Sequence, residues 1–171
     1  MSIVSQTAPS DYRWLVCHTK PRCEKKFAAL LSAAGFVHYL PLIESVRRYA
    51  SGEKRFSKPL FPGYVFAQVP LSRQKRLYEQ QLLVRTLTVD DERTFLAQLE
   101  QVKQTLSAGV TVALKPLLNR GRPVRISSGG LRGIEGVVED ADHPDEVVIK
   151  VDVLQQGLLV KVPVEHIQPL H

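Results

Sequence analysis

The sequence predicts an α+β protein in which an N-terminal α/β domain is followed by a small β-barrel. Up to Gly109, strand-like segments alternate with segments of helical period, in the order β-α-β-β-α-β-α with a hairpin inserted before the third main strand. From Arg122 onward the helical period disappears, and short β-branched segments are separated by glycine and proline. We therefore expect a mostly antiparallel sheet with flanking helices, followed by a five-stranded barrel.

The first domain is predicted from local patterns. Apolar residues recur at helical spacing between Pro21, which suits a first helical turn, and Gly35, which suits a C-terminal cap. Ser72 is the expected cap of a short second helix. The expected strands are 12–18, 36–43 (broken or bulged at Pro41), 63–69 and 82–89, and the expected further helices are 72–80 and one from near Asp90 to before Gly109.

Residues 44–58 alternate charged and apolar side chains around Ser51 and Gly52. This alternation predicts a β-hairpin that turns at the Ser-Gly pair. Its arms are too basic to be buried, so we expect it to project from the domain.

The remaining segments define the predicted domain boundaries. The barrel strands are expected at 123–127, 136–139, 146–154, 157–162 and 166–169. Pro116 interrupts the chain before them, and a linker is therefore expected at 115–121. The predicted organisation is a flexible leader at 1–11, a first domain at 12–114, the linker, and a barrel domain at 122–171.

Composition excludes several classes of protein. Hydrophobic residues make up 44% of the 171 residues, so the chain can bury a core. It contains no apolar run of the ~20 residues that cross a bilayer and no secretory signal, which indicates a cytoplasmic protein without a membrane partner. Cys17 and Cys23 are the only cysteines and supply too few ligands for structural zinc. We expect two reduced, buried thiols, no metal and no cofactor.

The basic residues are concentrated at one end of the chain. Residues 1–76 contain thirteen Lys or Arg against four Asp or Glu, whereas residues 77–171 contain ten against thirteen. The whole positive excess therefore lies in the first part of the protein. This asymmetry favours a polyanionic partner, with nucleic acid as the first candidate, although a merely soluble basic domain would look the same.

The segment KPLFPGYVF, at 58–66, is the first candidate for function. Pro59 and Pro62 restrict the backbone, and Gly63 permits a conformation that other residues resist. Such a segment can hold Phe61 and Tyr64 at the rim of a sheet, where rigid aromatic side chains anchor interfaces. The alternative is that both rings belong to the core.

The second candidate is RISSGGLRGIEGVV, at 125–138. Its glycines indicate a strand, a tight loop and a returning strand, whereas a phosphate-binding loop would open a helix and continue with Lys-Ser or Lys-Thr. Leu131 and Ile134 in this loop are either plugs of the barrel or an exposed contact patch.

These motifs together resemble the NusG family. WLVCHTKPRCEKK, YLPLI, the basic hairpin and KPLFPGYVF have the order and spacing of a NusG N-terminal domain, and the glycine-rich segment is similar to the KOW motif of an SH3-like barrel. The resemblance covers roughly residues 12–170. The N-terminal motifs are more similar to those of specialised paralogues, the RfaH- and UpxY-like transcription antiterminators, than to those of the housekeeping factor. The chain departs from the family at Trp14-Leu15 and at 82–87.

The resemblance implies a transcription elongation factor and not an enzyme. Such a factor binds the clamp helices of RNA polymerase, reduces pausing and regulates termination or antitermination. The polymerase-binding residues that it implies are His18, Phe61, Pro62, Gly63 and Tyr64.

Other contacts are implied in the same way. The residues expected to face the non-template DNA strand are Lys20, Arg22, Lys26, Arg73 and Arg76. Leu131 and Ile134 are expected to contact a second partner of the KOW domain, either Rho or a small-subunit ribosomal protein. Unlike RfaH, whose C-terminal domain folds as a helical hairpin, this chain is expected to keep a permanent β-barrel and to be a monomer. Alternatives are a housekeeping NusG-type factor and a KOW-type RNA- or ribosome-binding module.

Overall fold

The computed structural model describes residues 11–171. The predicted leader at 1–11 lies outside the described residues except for Asp11. The chain divides into two compact units, one ending at Glu92 and one running from Arg93 to His171.

The first unit is built on a four-stranded antiparallel sheet with strand order β2-β5-β1-β6. A separate two-stranded hairpin, β3-β4, interrupts the chain between β2 and β5. The elements are β1 (Tyr12–Thr19), α1 (Glu24–Ala33), β2 (His38–Tyr39), β3 (Leu42–Tyr49), β4 (Gly52–Pro59), β5 (Tyr64–Pro70), a 3-10 helix (Leu71–Tyr78) and β6 (Leu83–Thr88).

Strand β1 is buried on both faces. Leu15 and Cys17 pack with Phe27 and Leu31 of α1 in one apolar cluster. Trp14 and the other alternate residues of β1 point to the opposite face and are also buried at the centre of the strand. The sheet therefore has one face toward α1 and a second apolar face.

Two helix predictions need correction. Helix α1 begins at Glu24 instead of Pro21, because Arg22 adopts a left-handed φ of 61° that a helix cannot contain. The predicted second helix is a 3-10 helix that begins after Pro70, so Ser72 lies inside it and does not cap it.

The predicted strand 36–43 is broken, as the sequence indicated. Strand β2 ends at Tyr39, and β3 begins at Leu42, two residues before the predicted start of the hairpin. Between them the carbonyl of Pro41 accepts a hydrogen bond from the Leu60 amide at 2.9 Å, which closes the base of the hairpin. The turn lies at Ala50-Ser51, one residue earlier than predicted, because Gly52 already pairs with Tyr49.

The second unit contains one long helix and a six-stranded antiparallel sheet with order β12-β8-β9-β10-β11-β7. The predicted β-structure of the C-terminal region is confirmed, with one strand more than expected. The elements are α2 (Glu92–Ser107, whose first residue closes the first unit), β7 (Ala113–Pro116), β8 (Arg122–Ile126), β9 (Glu135–Val138), β10 (Glu146–Val151), β11 (Gln156–Lys161) and β12 (Ile167–Pro169).

The predicted linker contributes to this sheet. Strand β7 pairs with β11, and Lys115 on β7 forms an ion pair with Glu139 at 2.8 Å. The Leu118 amide donates to the same carboxylate at 3.0 Å. Burial raises the pKa of Glu139, but the hydrogen bonds from Lys115 and Leu118 outweigh it and the pKa is lowered. The linker at 115–121 stays a prediction, and the two compact units divide after Glu92.

No helix within residues 11–171 is long and apolar enough to span a membrane.

Close packing of β9 on β10 makes Gly136 a sensitive position. A Cβ atom there would lie 2.6 Å from the Val148 carbonyl oxygen and 2.6 Å from a methyl group of Val147. We expect Gly136→Ala to lower the free energy of unfolding by about 1–3 kcal/mol. At Gly130 a Cβ would meet only Ala108, at 3.5 Å, so Gly130→Ala is the matched control and should be nearly neutral. Urea denaturation followed by circular dichroism measures both, and equal effects would contradict the prediction.

Candidate interaction surfaces

The segment at 61–64 forms a tight turn at the start of β5. The Tyr64 amide donates to the Phe61 carbonyl at 3.1 Å, which places Pro62 and Gly63 at the two central positions. Gly63 has a φ of +87°. Proline followed by a residue with positive φ is the pattern of a type II turn, so the chemistry of the Pro-Gly pair suits this backbone.

Both polar groups of Gly63 are held by other elements. Its amide donates to the Glu24 carboxylate at 2.9 Å, and its carbonyl accepts from the Thr19 amide at 2.8 Å. The Glu24 side chain is buried, so this hydrogen bond compensates part of the cost of removing its carboxyl group from water. Sequence reasoning missed Glu24 and Thr19, because an acid in a first helical turn has an ordinary role there and nothing local indicates a partner 39 residues away.

The turn places Tyr64 against His18. The two residues pair across β1 and β5, and their rings stack with centroids 5.0 Å apart and an interplanar angle of 20°. Both side chains are half-buried, so each keeps an accessible part. They point to the face of the sheet that carries Trp14, opposite to α1. The structure thus brings together two of the residues predicted to bind a partner.

Phe61 behaves differently from Tyr64. It is 1% exposed, and its ring packs edge-on against Phe66 at a centroid distance of 6.2 Å. Of the two alternatives from sequence analysis, Phe61 takes the core position in this structure, whereas Tyr64 lies at the rim. A buried ring can support the turn but offers almost no area to a partner.

A second turn lies at the end of β1. The Cys23 amide donates to the Lys20 carbonyl at 3.1 Å, with Pro21 and Arg22 at the central positions. Arg22 adopts a φ of 61°, where glycine is usual. A non-glycine residue in this region costs about 1 kcal/mol, and the surrounding turn must maintain it. Lys20 and Arg22 are exposed, so this turn presents two cations to solvent.

The remaining predicted basic residues are exposed on α1 and the 3-10 helix. Lys26 lies on α1, and Arg73 and Arg76 lie on the 3-10 helix. The Arg73 guanidinium lies over the Phe36 ring, 5.7 Å from its centroid. Arg73 and Arg76 line a cleft of about 240 Å³ together with apolar residues that include Phe27. Cations at the edge of an apolar cleft suit a ligand with both anionic and flat apolar parts.

The two cysteines differ in their burial. Both are free thiols; Cys17 is buried and Cys23 is half-buried, so the expectation of two buried thiols holds only for Cys17. Burial raises the pKa of Cys17 to about 12, so the thiolate that nucleophilic chemistry needs is scarce at neutral pH.

The glycine-rich loop of the second unit turns its apolar residues inward. Leu131 is 5% exposed and Ile134 is 1% exposed. The Gly133 amide donates to the Ile126 carbonyl at 2.8 Å, and the Ile126 amide donates to the Ile134 carbonyl at 2.9 Å. In this structure both residues are buried, so neither forms an exposed contact patch.

A row of glutamines on α2 bonds to other parts of the second unit, and two of the three bond to the backbone of this loop. Gln101 donates to the Glu135 carbonyl at 3.0 Å and accepts from the Glu135 amide at 2.8 Å. Gln98 accepts from the Asp152 amide at 2.9 Å and donates to its carboxylate at 2.7 Å. Gln104 donates to the Arg132 carbonyl at 3.1 Å. The spacing of three residues aligns these side chains on one side of the helix, which no sequence pattern had indicated.

Comparison with known proteins identifies the family of this chain. The family model described as NusG, transcription termination factor nusG, matches residues 12–128. The chain belongs to the NusG family. Members of the NusG family are non-enzymatic transcription factors that act during elongation and associate with RNA polymerase.

Solved structures of NusG and Spt5 proteins are also similar. One, described as domain interaction in Thermotoga maritima NusG, has 16% sequence identity and a TM-score of 0.44, and the match covers 94% of this chain and 98% of that chain. Another, the MjSpt4:Spt5 complex in conformation A, has 16% identity and a TM-score of 0.27, with 92% and 97% covered. No curated relative matches the chain.

The Glu24–Gly63 hydrogen bond can be tested by removing its acceptor. We expect Glu24→Ala to lower the free energy of unfolding by about 1–3 kcal/mol, because the Gly63 amide is left without a partner. Glu24→Gln keeps a carbonyl oxygen at the same place and should lose less. Guanidinium denaturation and hydrogen exchange of the Gly63 amide report the two effects. Equal losses in both variants would show that the acceptor is not what matters.

The glutamines of α2 can be tested one at a time, because each bonds to a different residue. Gln101→Ala removes two hydrogen bonds to Glu135, whereas Gln104→Ala removes the bond to Arg132. We expect faster hydrogen exchange of the Glu135 amide in Gln101→Ala and little change there in Gln104→Ala. If Glu135 remains equally protected in Gln101→Ala, the row does not hold the loop.

Proposed function

We propose that this NusG-family chain binds RNA polymerase through the surface formed by His18 and Tyr64. The observation that carries the proposal is the turn at Pro62-Gly63. The amide and the carbonyl of Gly63 are both fixed by hydrogen bonds to other elements. A fixed backbone presents the stacked pair in one pose, so little conformational entropy is lost when a partner covers it. The partner surface that we propose is the clamp helices of the polymerase.

The proposal assigns Phe61 a supporting role. Its ring is 1% exposed and packs on Phe66, so its effect on binding is exerted through the position of the turn. Tyr64 and His18 supply the direct contact. The family resemblance, in contrast, implies that Phe61 and Tyr64 are both principal contacts.

Binding to a closed clamp would act by population shift. A protein that binds the closed state of the polymerase more tightly than the open state favours the closed state by that difference in affinity. Reduced pausing and altered termination follow without any bond being made or broken. We propose a specialised, operon-specific antiterminator, in line with the resemblance of the N-terminal motifs to RfaH- and UpxY-like proteins.

We further propose that the exposed cations face the non-template DNA strand. Lys20 and Arg22 lie on one turn, and Lys26 lies in the first turn of the following helix, α1. Arg73 and Arg76 at the apolar cleft add two further charges. Contacts of this kind are largely electrostatic, so the affinity for DNA should fall steeply as salt rises.

The KOW region is proposed to bind a second partner, either Rho or a small-subunit ribosomal protein. Leu131 and Ile134 are nearly inaccessible, and the glutamines of α2 bond to the backbone on either side of Ile134. Binding through this loop therefore requires that α2 release it. The proposed free state is a monomer.

A housekeeping termination factor is the second candidate. The family model that matches the chain carries the description of a termination factor. Release of the loop for Rho would favour this candidate, whereas exclusive action on one operon would favour the antiterminator.

A pull-down on immobilised core RNA polymerase tests the proposal. We expect His18→Ala combined with Tyr64→Ala to reduce retention at least tenfold, because both members of the stacked pair are lost. Phe61 is left unchanged, since truncation of a buried ring costs about 3–5 kcal/mol of stability and would confuse loss of binding with loss of fold.

Tyr78→Ala is the matched control. Tyr78 is an exposed tyrosine of the 3-10 helix, and its hydroxyl lies 3.4 Å from Thr86, which points to the α1 side of the sheet. This variant should be retained like the unmodified protein, and circular dichroism should confirm that all variants are folded. Absence of binding by the unmodified protein would disprove the proposal.

A further inference from the structure

The β3-β4 hairpin has two chemically different faces. Side chains alternate along each strand, and cross-strand partners share a face. One face, here called the ion-paired face, carries Leu42, Glu44, Val46 and Arg48 opposite Pro59, Ser57, Arg55 and Glu53. The other, called the basic-aromatic face, carries Ile43, Ser45, Arg47 and Tyr49 opposite Lys58, Phe56, Lys54 and Gly52.

Charges on the ion-paired face cancel. Arg48 pairs with Glu53 at 3.1 Å, and Arg55 pairs with Glu44 at 3.4 Å. Two cations and two carboxylates leave no net charge there. Exposed pairs of this kind contribute little to stability but neutralise the field of the face.

The basic-aromatic face has three cations and no carboxylate. These cations are Arg47, Lys54 and Lys58. Two aromatic rings lie among them, with Tyr49 47% exposed and Phe56 41% exposed. The positive charge of the hairpin is therefore segregated onto one side.

The rings and the cations on this face are in mutual contact. The Arg47 guanidinium lies over the Phe56 ring, 5.7 Å from its centroid, and the Lys54 ammonium lies 5.8 Å from the centroid of Tyr49. Each contact joins a diagonal pair across the strands, which the shared face requires. The rings are thus held by the cations while a large part of their surface stays open.

A hairpin that only faces solvent would not need its cations and its aromatic rings on the same face. Charges blunt the edges of an exposed hairpin wherever they stand, so protection from aggregation does not require them on one face. Nor are the aromatic rings buried in a core. Interleaved cations and accessible rings are instead the chemistry by which proteins hold unpaired bases and their phosphates.

We propose that the basic-aromatic face binds single-stranded nucleic acid. Arg47, Lys54 and Lys58 contact phosphates, and Tyr49 and Phe56 stack on unpaired bases. Duplex nucleic acid could engage the cations but not the rings, since its bases are already stacked. The site is distinct from the cations proposed above to face DNA and does not depend on polymerase binding.

Fluorescence anisotropy of the full chain tests the site in the absence of polymerase. The probes are a labelled single-stranded DNA of mixed sequence, the matching RNA strand, and the duplex of the same length, at 50 to 200 mM salt. We expect tighter binding of the single strands than of the duplex. Equal or tighter binding of the duplex would overturn the proposal.

A pair of charge variants separates the two faces. Arg47→Gln with Lys54→Gln and Arg48→Gln with Arg55→Gln remove the same net charge from opposite faces. The first pair should weaken single-strand binding about tenfold or more and reduce the slope of log affinity against log salt by about 1.4, at roughly 0.7 per lost contact. The second pair should change binding less than threefold. Equal losses in both pairs would mean that net charge alone is responsible.

The rings are tested separately. Tyr49→Ala with Phe56→Ala should weaken single-strand binding by at least fivefold per ring and leave duplex binding unchanged. Tyr49→Phe with Phe56→Tyr keeps both rings and should restore binding, which a folding defect would not do. Unchanged single-strand affinity after loss of both rings would overturn the stacking.

Discussion

The two hydrogen bonds at Gly63 are the constraint on which the first unit depends. They join the end of β1, the first turn of α1 and the Pro-Gly turn through Thr19 and Glu24. The Glu24 side chain is buried, so loss of the hydrogen bond from the Gly63 amide would leave a desolvated carboxyl group without this donor. Such a loss costs free energy. The turn is therefore held from both sides, and with it the stack of Tyr64 on His18.

The surfaces of the two units are organised in opposite ways. In the first unit the hairpin exposes its rings and cations, including Phe56 and Arg47. In the second unit the apolar residues of the glycine-rich loop are buried, and Gln101 bonds to the backbone beside them. The rings of the hairpin are accessible to solvent without any rearrangement, whereas the apolar residues of the loop are not.

Much of the fold could be predicted because it follows from short-range physics. The apolar segment of β1, the helical period of α1, the break at Pro41 and the backbone preferences of Pro62 and Gly63 all depend on residues close together in the chain. Errors arose where a residue adopts a conformation against its preference. Arg22 has a positive φ although arginine rarely does, so the helix was expected to begin too early. The strand-like segment before Pro116 is not assigned to the C-terminal sheet by the sequence, because its partner β11 lies far along the chain.

By itself the sequence determined the fold class, the family resemblance and the types of residue at the candidate site. Tertiary structure alone decided which of them a partner can reach. Phe61 and Tyr64 look equivalent in the motif, yet packing on Phe66 buries the first while strand pairing places the second against His18. The pairing of Glu24 with Gly63 likewise spans 39 residues. Burial and long-range pairing depend on how distant segments meet, and no local pattern contains that information.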